Sequence, residues 1–387
     1  MRNIRTSIDI GSSSLRMLVF GRPDKKSPEQ IVALAEVESD GMRQGYIIDV
    51  KLVQKAILSC KELCEDKIDS KINHAVVGFS GMGLASSYGI GQAIISRADS
   101  LVSEADILTA LNDGENNISL ENRKIIHRIA LDYYLDGNQV LGTPLGLKGI
   151  KLEVKIFFVT AMTQHLETVL SVISKLGIEV VDIIASPLAT ASAVLSEKQK
   201  SVGVGIIDIG AETVSAAIYE NGLPISVFVL PIGSNDITKD IALGLKIDFE
   251  EAENVKLGII QPNVSRKKLE DIIFARVIDF FEMTDTQLKK IKRSGLLPAG
   301  VLIVGRGSLI NGIEAFAKDV LRLPAKTLTE ATGALAELPD SSWYTAYGLL
   351  NNNLQSENEL EIQDQKDENV IGSIKRAWKN LLHQLLP

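Results

Sequence analysis

One strand–turn–strand pattern occurs twice in this 387-residue chain, and it limits the fold more than any other feature. The first copy, Ile4–Phe20, reads IRTSIDIGSSSLRMLVF, and the second, Val204–Tyr219, reads VGIIDIGAETVSAAIY. In each copy an apolar strand ends in Asp, a glycine turn follows, and a second apolar strand returns. The second copy closes at Asn221-Gly222, a strong two-residue hairpin signal, before a further strand at Ile225–Leu230. A repeat of one supersecondary unit predicts two similar lobes that face each other.

The two glycine turns are suited to bind phosphate groups. Their backbone N–H groups can surround phosphate oxygens, and the hydroxyl groups of the first turn add donors. The candidate phosphate ligands are Gly11, Ser12, Ser13 and Ser14 in the first turn, and Gly210, Ala211, Glu212 and Thr213 in the second. A dinucleotide-binding turn would instead open a helix, whereas a strand follows each of these turns.

The aspartates that end the two strands are candidate Mg²⁺ ligands. Mg²⁺ keeps much of its hydration and is usually held by one or two carboxylates plus substrate phosphates. We therefore expect Asp9 and Asp208 to hold Mg²⁺ through water, with a triphosphate between the two lobes. The alternative is that each Asp-Ile-Gly is only ordinary turn chemistry at a strand end. That alternative is less favoured for two matched copies than for one.

The composition narrows the classes of function. The net charge is -8 and the pI is about 5.3, so the chain as a whole is not expected to seek nucleic acid or an anionic membrane. No run of about 18 apolar residues predicts a transmembrane helix, and MRNIRTSIDIG enters a strand too early to leave room for a secretory signal. Cys60 and Cys64 share one face of a predicted helix. We interpret them as small core residues of a protein in the reducing cytoplasm, rather than as zinc ligands or a disulfide.

The remaining segments complete the two lobes and place an insert in the first. The first lobe is predicted to contain strands at 30–37, 73–80 and 179–184, and helices at 51–66, 164–176 and 187–195. From 83 to 162 the pattern indicates a small α+β insert, with strands at 89–95, 124–135 and 151–160 and a helix begun by the capping box Ser103–Asp106. The second lobe continues with a helix at 235–244, the stretch FEEAENVKLG from Phe249, a long helix at 268–292 and a strand at 301–304.

The strand at 301–304 leads into GRGSLING, residues 305–312. Its glycines allow the backbone to approach a ligand closely at the start of the next helix. With two phosphate turns upstream, Gly305, Arg306, Gly307 and Ser308 are candidates for a third wall of one nucleotide site.

The C-terminal region changes character twice. Residues 351–370 hold six carboxylates and a single lysine without apolar periodicity, which predicts a disordered linker with a reach of roughly 25 Å. In the last 17 residues one helical stripe contains Ile371, Ile374, Trp378, Leu381, Leu382 and Leu385, and the basic residues Lys375, Arg376 and Lys379 lie off it. This pattern predicts a helix that lies in an anionic membrane surface. The alternative is a C-terminal helix docked on the protein's own core.

Several stretches of the chain resemble the FtsA family of bacterial cell-division proteins, over essentially the whole length. The similar stretches are SIDIGSSSLR, QGYIIDV, TPLGLKGIKLEV, DIGAETVSAAIYENG, ITKDIA, FEEAENVK, VLIVGRGSLING and the amphipathic C-terminus. Actins, Hsp70 chaperones and sugar kinases share the phosphate loops. The insert motif and the terminal helix are therefore the stretches that are specific to this family.

The resemblance implies an α/β, actin-like (ribonuclease H-like) fold of two lobes with an inserted subdomain 1C and a C-terminal amphipathic helix. The implied divisions are 1–82 and 163–198 (subdomain 1A), 83–162 (1C), 199–232 and 298–350 (2A), 233–297 (2B), 351–370 (linker) and 371–387 (membrane helix). It also implies ATP in the cleft, with Arg16 at a phosphate-contacting position and Glu253 and Lys256 where the adenosine sugar is held.

The implied partners follow from the same resemblance. They are other copies of the chain in a filament, the C-terminal peptide of the tubulin-like protein FtsZ on 2B, later division proteins on 1C, and the cytoplasmic face of the membrane at the septum. The resemblance implies no nucleic-acid partner. Because a helix of this size binds membrane modestly, we expect polymerisation to raise membrane residence through avidity.

The chain departs from the family pattern at three places, so at most a weak ATPase activity is expected. Arg16 replaces a Lys, so a planar fork stands in place of a point charge. Ala211-Glu212 replaces a smaller pair, and a carboxylate beside a γ-phosphate is repulsive unless metal or an outward turn intervenes. Arg306 interrupts the Gly pair of the adenosine motif, where it would stack on the base or crowd it.

Two alternative functions remain open at this point. A small-molecule kinase of the same superfold would need a carboxylate base that faces an acceptor hydroxyl, and the sequence presents none. A relative of the pilus-assembly protein PilM has a similar D-I-G-S-S-S loop but lacks the linker and the basic tail.

Overall fold

The structure, a computed structural model, describes residues 2–22, 28–262, 264–328 and 333–351. All of them belong to one unit, Met1–Asn352. The predicted terminal helix 371–387, and all but the first residue of the predicted linker 351–370, lie outside the described residues and stay predictions. No helix within these described ranges combines the length and the apolar character needed to cross a bilayer.

The described residues form sixteen strands and ten α-helices. In chain order the strands are β1 (Arg2–Ile10), β2 (Ser14–Arg22), β3 (Gln30–Glu38), β4 (Met42–Arg43), β5 (Tyr46–Ile47), β6 (His74–Phe79), β7 (Ala85–Ile94), β8 (Arg123–Leu135), β9 (Asn138–Val140), β10 (Lys151–Met162), β11 (Glu179–Ala185), β12 (Val204–Ile209), β13 (Val214–Glu220), β14 (Leu223–Leu230), β15 (Val301–Val304) and β16 (Ala325–Thr327). The α-helices are α1 (Val50–Ile68), α2 (Glu104–Asn116), α3 (Thr163–Ser174), α4 (Ser186–Val194), α5 (Glu197–Val202), α6 (Ser234–Leu245), α7 (Phe249–Lys256), α8 (Arg266–Lys290), α9 (Ile313–Leu321) and α10 (Tyr344–Leu350).

The two lobes are built on sheets of the same topology, as the repeat predicts. The first sheet has the strand order β11-β6-β1-β2-β3, and the corresponding part of the second has the order β16-β15-β12-β13-β14. In each, three consecutive strands pair antiparallel, and two later strands add in parallel beside the first of the three. The central strands are apolar almost throughout because helices cover both faces of such sheets.

The helix α1 shows how the sequence pattern becomes packing. Asp49 caps its N-terminus by accepting hydrogen bonds from the N–H groups of Lys51 and Leu52. Its buried face rests on β2 and β3, where Cys60 and Cys64 are both 0% exposed and carry free thiols. The interpretation of these two cysteines as small core residues is therefore confirmed.

The insert forms a four-stranded sheet in the order β7-β10-β8-β9, covered by α2. The predicted capping box is present, since Asp106 N–H donates to Ser103 Oγ and Ser103 N–H donates to the Asp106 carboxylate. The insert sheet continues into the sheet of the second lobe through one backbone pair, Phe228 with Ala85.

The last described helix, α10, was not predicted. It falls within 298–350, the stretch predicted to return to the second lobe, yet it packs on α4 and on β1 of the first lobe. Ser7 Oγ donates a 2.7 Å hydrogen bond to Ala346 O, and the hydroxyls of Thr190 and Thr345 lie 2.8 Å apart. The chain therefore crosses back to the first lobe before residue 351.

Candidate functional site

The two Asp-Ile-Gly turns meet at one cavity between the two sheets. The cavity has about 100 Å³ of space accessible to water, and about 710 Å³ of empty space when the part open to solvent is counted. The predicted residues that line it are Asp9, Gly11, Ser12, Ser13, Ser14, Arg16, Asp208, Gly210, Ala211, Thr213, Gly305 and Arg306. The predicted residues outside the lining are Glu212, Glu253, Lys256, Gly307 and Ser308.

The two turns have the same backbone hydrogen bond. Gly11 N–H donates to Ser14 O at 3.1 Å, and Gly210 N–H donates to Thr213 O at 2.9 Å. A Cβ atom added at Gly11 would lie 2.7 Å from Ser14 O, so the first turn requires glycine. Each turn is therefore the tip of a hairpin, as predicted, and residues of both turns line the cavity.

The two aspartates lie beside the cavity and are largely, but not fully, buried. Burial raises the pKa of Asp9, and the charge of Arg16 offsets this only in part. Burial, followed by the charge of Asp9, raises the pKa of Asp208 to about 6. Two carboxylates that repel one another in a poorly solvated site would be stabilised by a cation, and oxygen donors suit Mg²⁺. No cluster of three or more His, Cys, Asp or Glu ligands occurs among the described residues, so further oxygen ligands would come from water and phosphate.

Arg16 and Arg306 are joined through Glu36, which the sequence analysis did not single out. Arg16 Nη2 donates to Glu36 Oε1 at 2.8 Å, and Arg306 Nη2 donates to Glu36 Oε2 at 2.8 Å. Burial opposes ionisation of Glu36, but the two arginines outweigh it and lower its pKa. Arg16 Nη1 also lies 3.8 Å from Asp9 Oδ2, and Arg306 Nε donates to Asp340 at 3.2 Å.

This network changes the interpretation of both arginines. Arg306 lines the cavity, and its guanidinium also ties the second lobe to Glu36 on β3 of the first lobe. Arg16 lines the cavity but shares its charge between Glu36 and Asp9. The sequence signal for Glu36 was weak, because a Glu near the end of an alternating strand is usually solvent-facing.

Glu212 contacts the first lobe instead of the cavity. Its Oε2 accepts a 2.6 Å hydrogen bond from the N–H of Gln44, which lies with Gly45 in the turn between β4 and β5. Gly45 N–H donates to Ser12 Oγ at 3.3 Å. The carboxylate is therefore engaged by a hairpin that also contacts the first turn.

The third wall lies directly against Asp208. Gly305 has a φ of 81°, and a Cβ atom added to it would lie 2.2 Å from Asp208 Oδ1. Its carbonyl oxygen accepts a 2.7 Å hydrogen bond from Ser308 Oγ. Only glycine allows the backbone to lie this close to Asp208. This close packing explains why GRGSLING begins with a glycine.

Glu253 and Lys256 lie beside the second turn and bind each other. Lys256 Nζ is 2.7 Å from Glu253 Oε2 and donates to Thr238 Oγ1 at 2.9 Å. The helix α6, which carries Thr238, begins with Ser234 and Asn235, whose N–H groups donate to Gly210 O and Ala211 O. The pair is thus connected to the turn through α6, and its contact with an adenosine sugar stays a prediction.

The structure adds lining residues that sequence reasoning missed, namely Ile10, Gly45, Ser80, Ser186, Ser215, Ser342 and Thr345. Most lie in turns or at helix ends without a recognisable motif. Ser186 begins α4, and its buried Oγ has no hydrogen-bond partner among the described residues. An orphaned hydroxyl in the wall of a cavity is consistent with a polar occupant.

Sequence comparisons identify relatives of the whole chain. The family model of cell division protein FtsA matches residues 205–366, and the model of the SHS2 domain inserted in FtsA matches residues 84–160. The cell division protein FtsA of Neisseria meningitidis is 29% identical over 371 residues, covering 89% of this chain and 88% of that protein. FtsA of Escherichia coli K12 is 24% identical over 412 residues, covering 97% of each.

Solved structures resemble the fold at lower identity. A chain of the PilM-PilN type IV pilus biogenesis complex has a TM-score of 0.65 at 17% identity, covering 92% of this chain and 99% of that one. MreB5 of Spiroplasma citri bound to ADP has a TM-score of 0.53 at 14% identity, covering 93% and 99%. At these identities the likeness concerns the fold alone, and it confirms the actin-like class. Since the two family models together match more than half of the sequence, this chain belongs to the FtsA family of cell-division proteins, with an actin-like fold and an SHS2 insert.

Proposed function

We propose that this chain binds ATP with Mg²⁺ in the cavity between its lobes. The observation that carries the proposal is the meeting of two glycine turns with the same backbone hydrogen bond beside two largely buried carboxylates. Exposed N–H groups and serine hydroxyls suit phosphate oxygens, and the paired carboxylates suit a hydrated divalent cation.

Each wall of the cavity has a separate task in this proposal. The N–H groups and hydroxyls of the first turn, Gly11–Ser14, and of the second, Gly210–Thr213, bind the phosphate chain. Asp9 and Asp208 hold Mg²⁺ through water, and the ion supplies positive charge that neutralises the phosphates. Gly305 leaves room for the ligand beside Asp208, and Glu253 and Lys256 are assigned to the ribose.

We further propose that the nucleotide-bound chain polymerises and links the FtsZ ring to the cytoplasmic face of the membrane. Membership of the FtsA family supports this role. The stripe of apolar residues in 371–387, flanked by Lys375, Arg376 and Lys379, supports the membrane contact. The C-terminal peptide of FtsZ is assigned to 233–297, and later division proteins to the insert, 83–162.

Isothermal calorimetry on the full chain tests the nucleotide proposal. Titration with ATP in the presence of Mg²⁺ is expected to give saturable binding at one site, weakened when EDTA removes the metal. A surface variant far from the cavity, Glu270→Gln, should bind ATP as the unaltered chain does. A folded sample that takes up no ATP at millimolar concentration would overturn the proposal.

Vesicle sedimentation tests the membrane proposal separately. The full chain is expected to co-sediment with vesicles that contain anionic lipid, and a chain ending at residue 370 is expected to stay in solution. A variant that cannot polymerise but retains 371–387 should bind much more weakly than the full chain, because avidity is lost. Equal binding by that variant would refute the coupling of polymerisation to membrane residence.

A further inference from the structure

The small hairpin formed by β4 and β5, which we call the 42–47 hairpin, contacts both phosphate turns at its tip. Gln44 N–H donates to Glu212 of the second turn at 2.6 Å, and Gly45 N–H donates to Ser12 of the first turn at 3.3 Å. Gln44 and Gly45 have φ values of 49° and 78°, the left-handed pair of a tight hairpin. The tip therefore sits where the two lobes meet at the cavity, and it has a hydrogen bond to each.

The tip fits closely against the segment that leads into the insert. A Cβ atom added at Gly45 would lie 2.1 Å from Ser80 O, and Ser80 itself lines the cavity. A Cβ atom added at Gly81 would lie 3.1 Å from Gly45 O and from the ring of Tyr46. Movement of the tip cannot occur independently of residues 80–81, because no space separates them.

The base of the 42–47 hairpin contacts the root of the insert. The Tyr46 ring stacks on His165 of α3, with centroids 3.6 Å apart and an interplanar angle of 12°. A Cβ atom added at Gly83, where the chain enters the insert, would lie 3.0 Å from the Tyr46 hydroxyl and 2.5 Å from Met162 Cγ, where the chain leaves. The Tyr46 side chain thus lies against the segment that enters the insert and against the helix that follows the insert.

Arg123 holds these two connecting strands together next to Tyr46. Its Nη2 donates to Gly83 O at 2.6 Å and to Thr160 O at 3.0 Å, and its Nε donates to Thr160 Oγ1 at 2.8 Å. The two segments that connect the insert to the first lobe are therefore joined by hydrogen bonds through Arg123.

From these contacts we propose that the 42–47 hairpin couples occupancy of the phosphate cavity to the orientation of the insert. The inference rests on the proposed nucleotide function. A ligand that engages Ser12, which lines the cavity, changes one of the two hydrogen bonds that fix the tip. Since the tip, residues 80–83 and Tyr46 form one close-packed chain of contacts, the shift is carried to the insert, and by linkage an insert partner changes nucleotide affinity in return.

Hydrogen–deuterium exchange of the full chain, with and without ATP and Mg²⁺, tests the coupling. We expect ATP to change exchange at the insert root, residues 83–86 and 160–163, in the unaltered chain. Tyr46→Ala removes the stacked ring, and its matched control Tyr46→Phe keeps the ring and loses only the hydroxyl. Couplings between sites are typically worth about 5- to 150-fold, so the ATP-dependent change in exchange rate should fall at least about fivefold in Tyr46→Ala and persist in Tyr46→Phe.

The outcomes separate the two proposals. If calorimetry detects ATP binding but exchange at the root does not respond in the unaltered chain, the coupling is overturned and the nucleotide function stands. An undiminished response in Tyr46→Ala also overturns the coupling. If Tyr46→Ala does not fold, His165→Ala removes the other half of the stack and should show the same loss. Absence of ATP binding itself overturns the nucleotide function and the coupling together.

Discussion

The two phosphate turns share a backbone and differ in every side chain that follows the glycine. Both place Asp at a strand end and close with a Gly N–H bond to the carbonyl three residues on. After the glycine, the first turn continues Ser-Ser-Ser and the second Ala-Glu-Thr. Across the hairpin, Asp9 pairs with Arg16, whereas Asp208 pairs with Ser215.

The difference shows that the repeat fixes the backbone while the side chains serve contacts between the lobes. Glu212 of the second lobe binds Gln44 of the first, and Arg306 of the second lobe binds Glu36 of the first. Both contacts come from positions that depart from the family pattern. Two of the three departures, Glu212 and Arg306, therefore form contacts across the cleft.

Replacing the two strand-end aspartates should have the largest effect. Asp9→Asn and Asp208→Asn are each expected to weaken binding of ATP with Mg²⁺ about 100-fold, or about 2.7 kcal/mol, because each removes half of the charge that holds the cation. Calorimetry measures this loss. A binding constant unchanged in either variant would contradict the assignment of that carboxylate.

The Asp9→Asn and Asp208→Asn variants should also differ from one another in stability when no ligand is bound. Arg16 lies 3.8 Å from Asp9, but among the described residues no cation lies within 4.0 Å of Asp208. Asp208→Asn removes an uncompensated buried charge and should raise the unfolding free energy, whereas Asp9→Asn should not. Urea unfolding at neutral pH measures both, and a lower midpoint for Asp208→Asn would contradict the argument.

Removing the contacts of Glu36 with Arg16 and Arg306 should have the next largest effect on stability. Glu36→Gln removes the charge shared by Arg16 and Arg306, and Arg16 is only 7% exposed, so it is left with Asp9 alone. Breaking a fully buried pair costs roughly 3–5 kcal/mol, and we expect about 2–3 kcal/mol because Glu36 is partly exposed. Arg306→Gly, at a half-exposed side chain, should cost about 1 kcal/mol or less. Equal losses in urea unfolding would show that the buried arginine does not depend on Glu36.

The elements that belong to the repeat could be predicted from the sequence, whereas the contacts between the two lobes could not. The hairpins, the insert and the cysteine helix follow from local apolar patterns and turn residues, so their bounds agree within a few residues. The 42–47 hairpin and α10 are too short for a periodic signal, and their positions are set by partners far away in sequence. Glu36 lies 270 residues from Arg306, a distance over which no single-sequence pattern can assign a contact.

A smaller, pH-dependent effect should distinguish the lobes, because within the described ranges only the first lobe is held to the insert by a partly buried histidine. Ala185 N–H, just before α4, donates to His127 Nε2 at 2.9 Å, and burial lowers the pKa of His127 to about 4. The unfolded chain, with an ordinary histidine pKa of about 6.5, binds this proton first, so stability is full above that value and falls with the pH below it.

The loss from this one group should reach about 2 kcal/mol at pH 5 relative to pH 7.5. His127→Gln keeps an acceptor for Ala185 but cannot titrate, so the difference in unfolding free energy between the two proteins should shrink or reverse by that amount as the pH falls. A constant difference across this range would show that folding does not lower the pKa of His127.

The smallest expected effect comes from exchanging the unlike residues of the two turns, Ser13 and Glu212. Ser13→Glu puts an unbound carboxylate beside the phosphate cavity and should weaken ATP binding about tenfold, the effect of roughly 1.4 kcal/mol of like-charge repulsion. Glu212→Ser removes a carboxylate that already accepts from Gln44 and lies outside the cavity lining, so ATP affinity should change less than about threefold. Fluorescence titration with a labelled ATP analogue measures both. The contrary result would be that Glu212→Ser strengthens binding as much as Ser13→Glu weakens it. That result would mean that the native Glu212 carboxylate faces the phosphates, and it would contradict the argument that its bond to the 42–47 hairpin keeps it away from them.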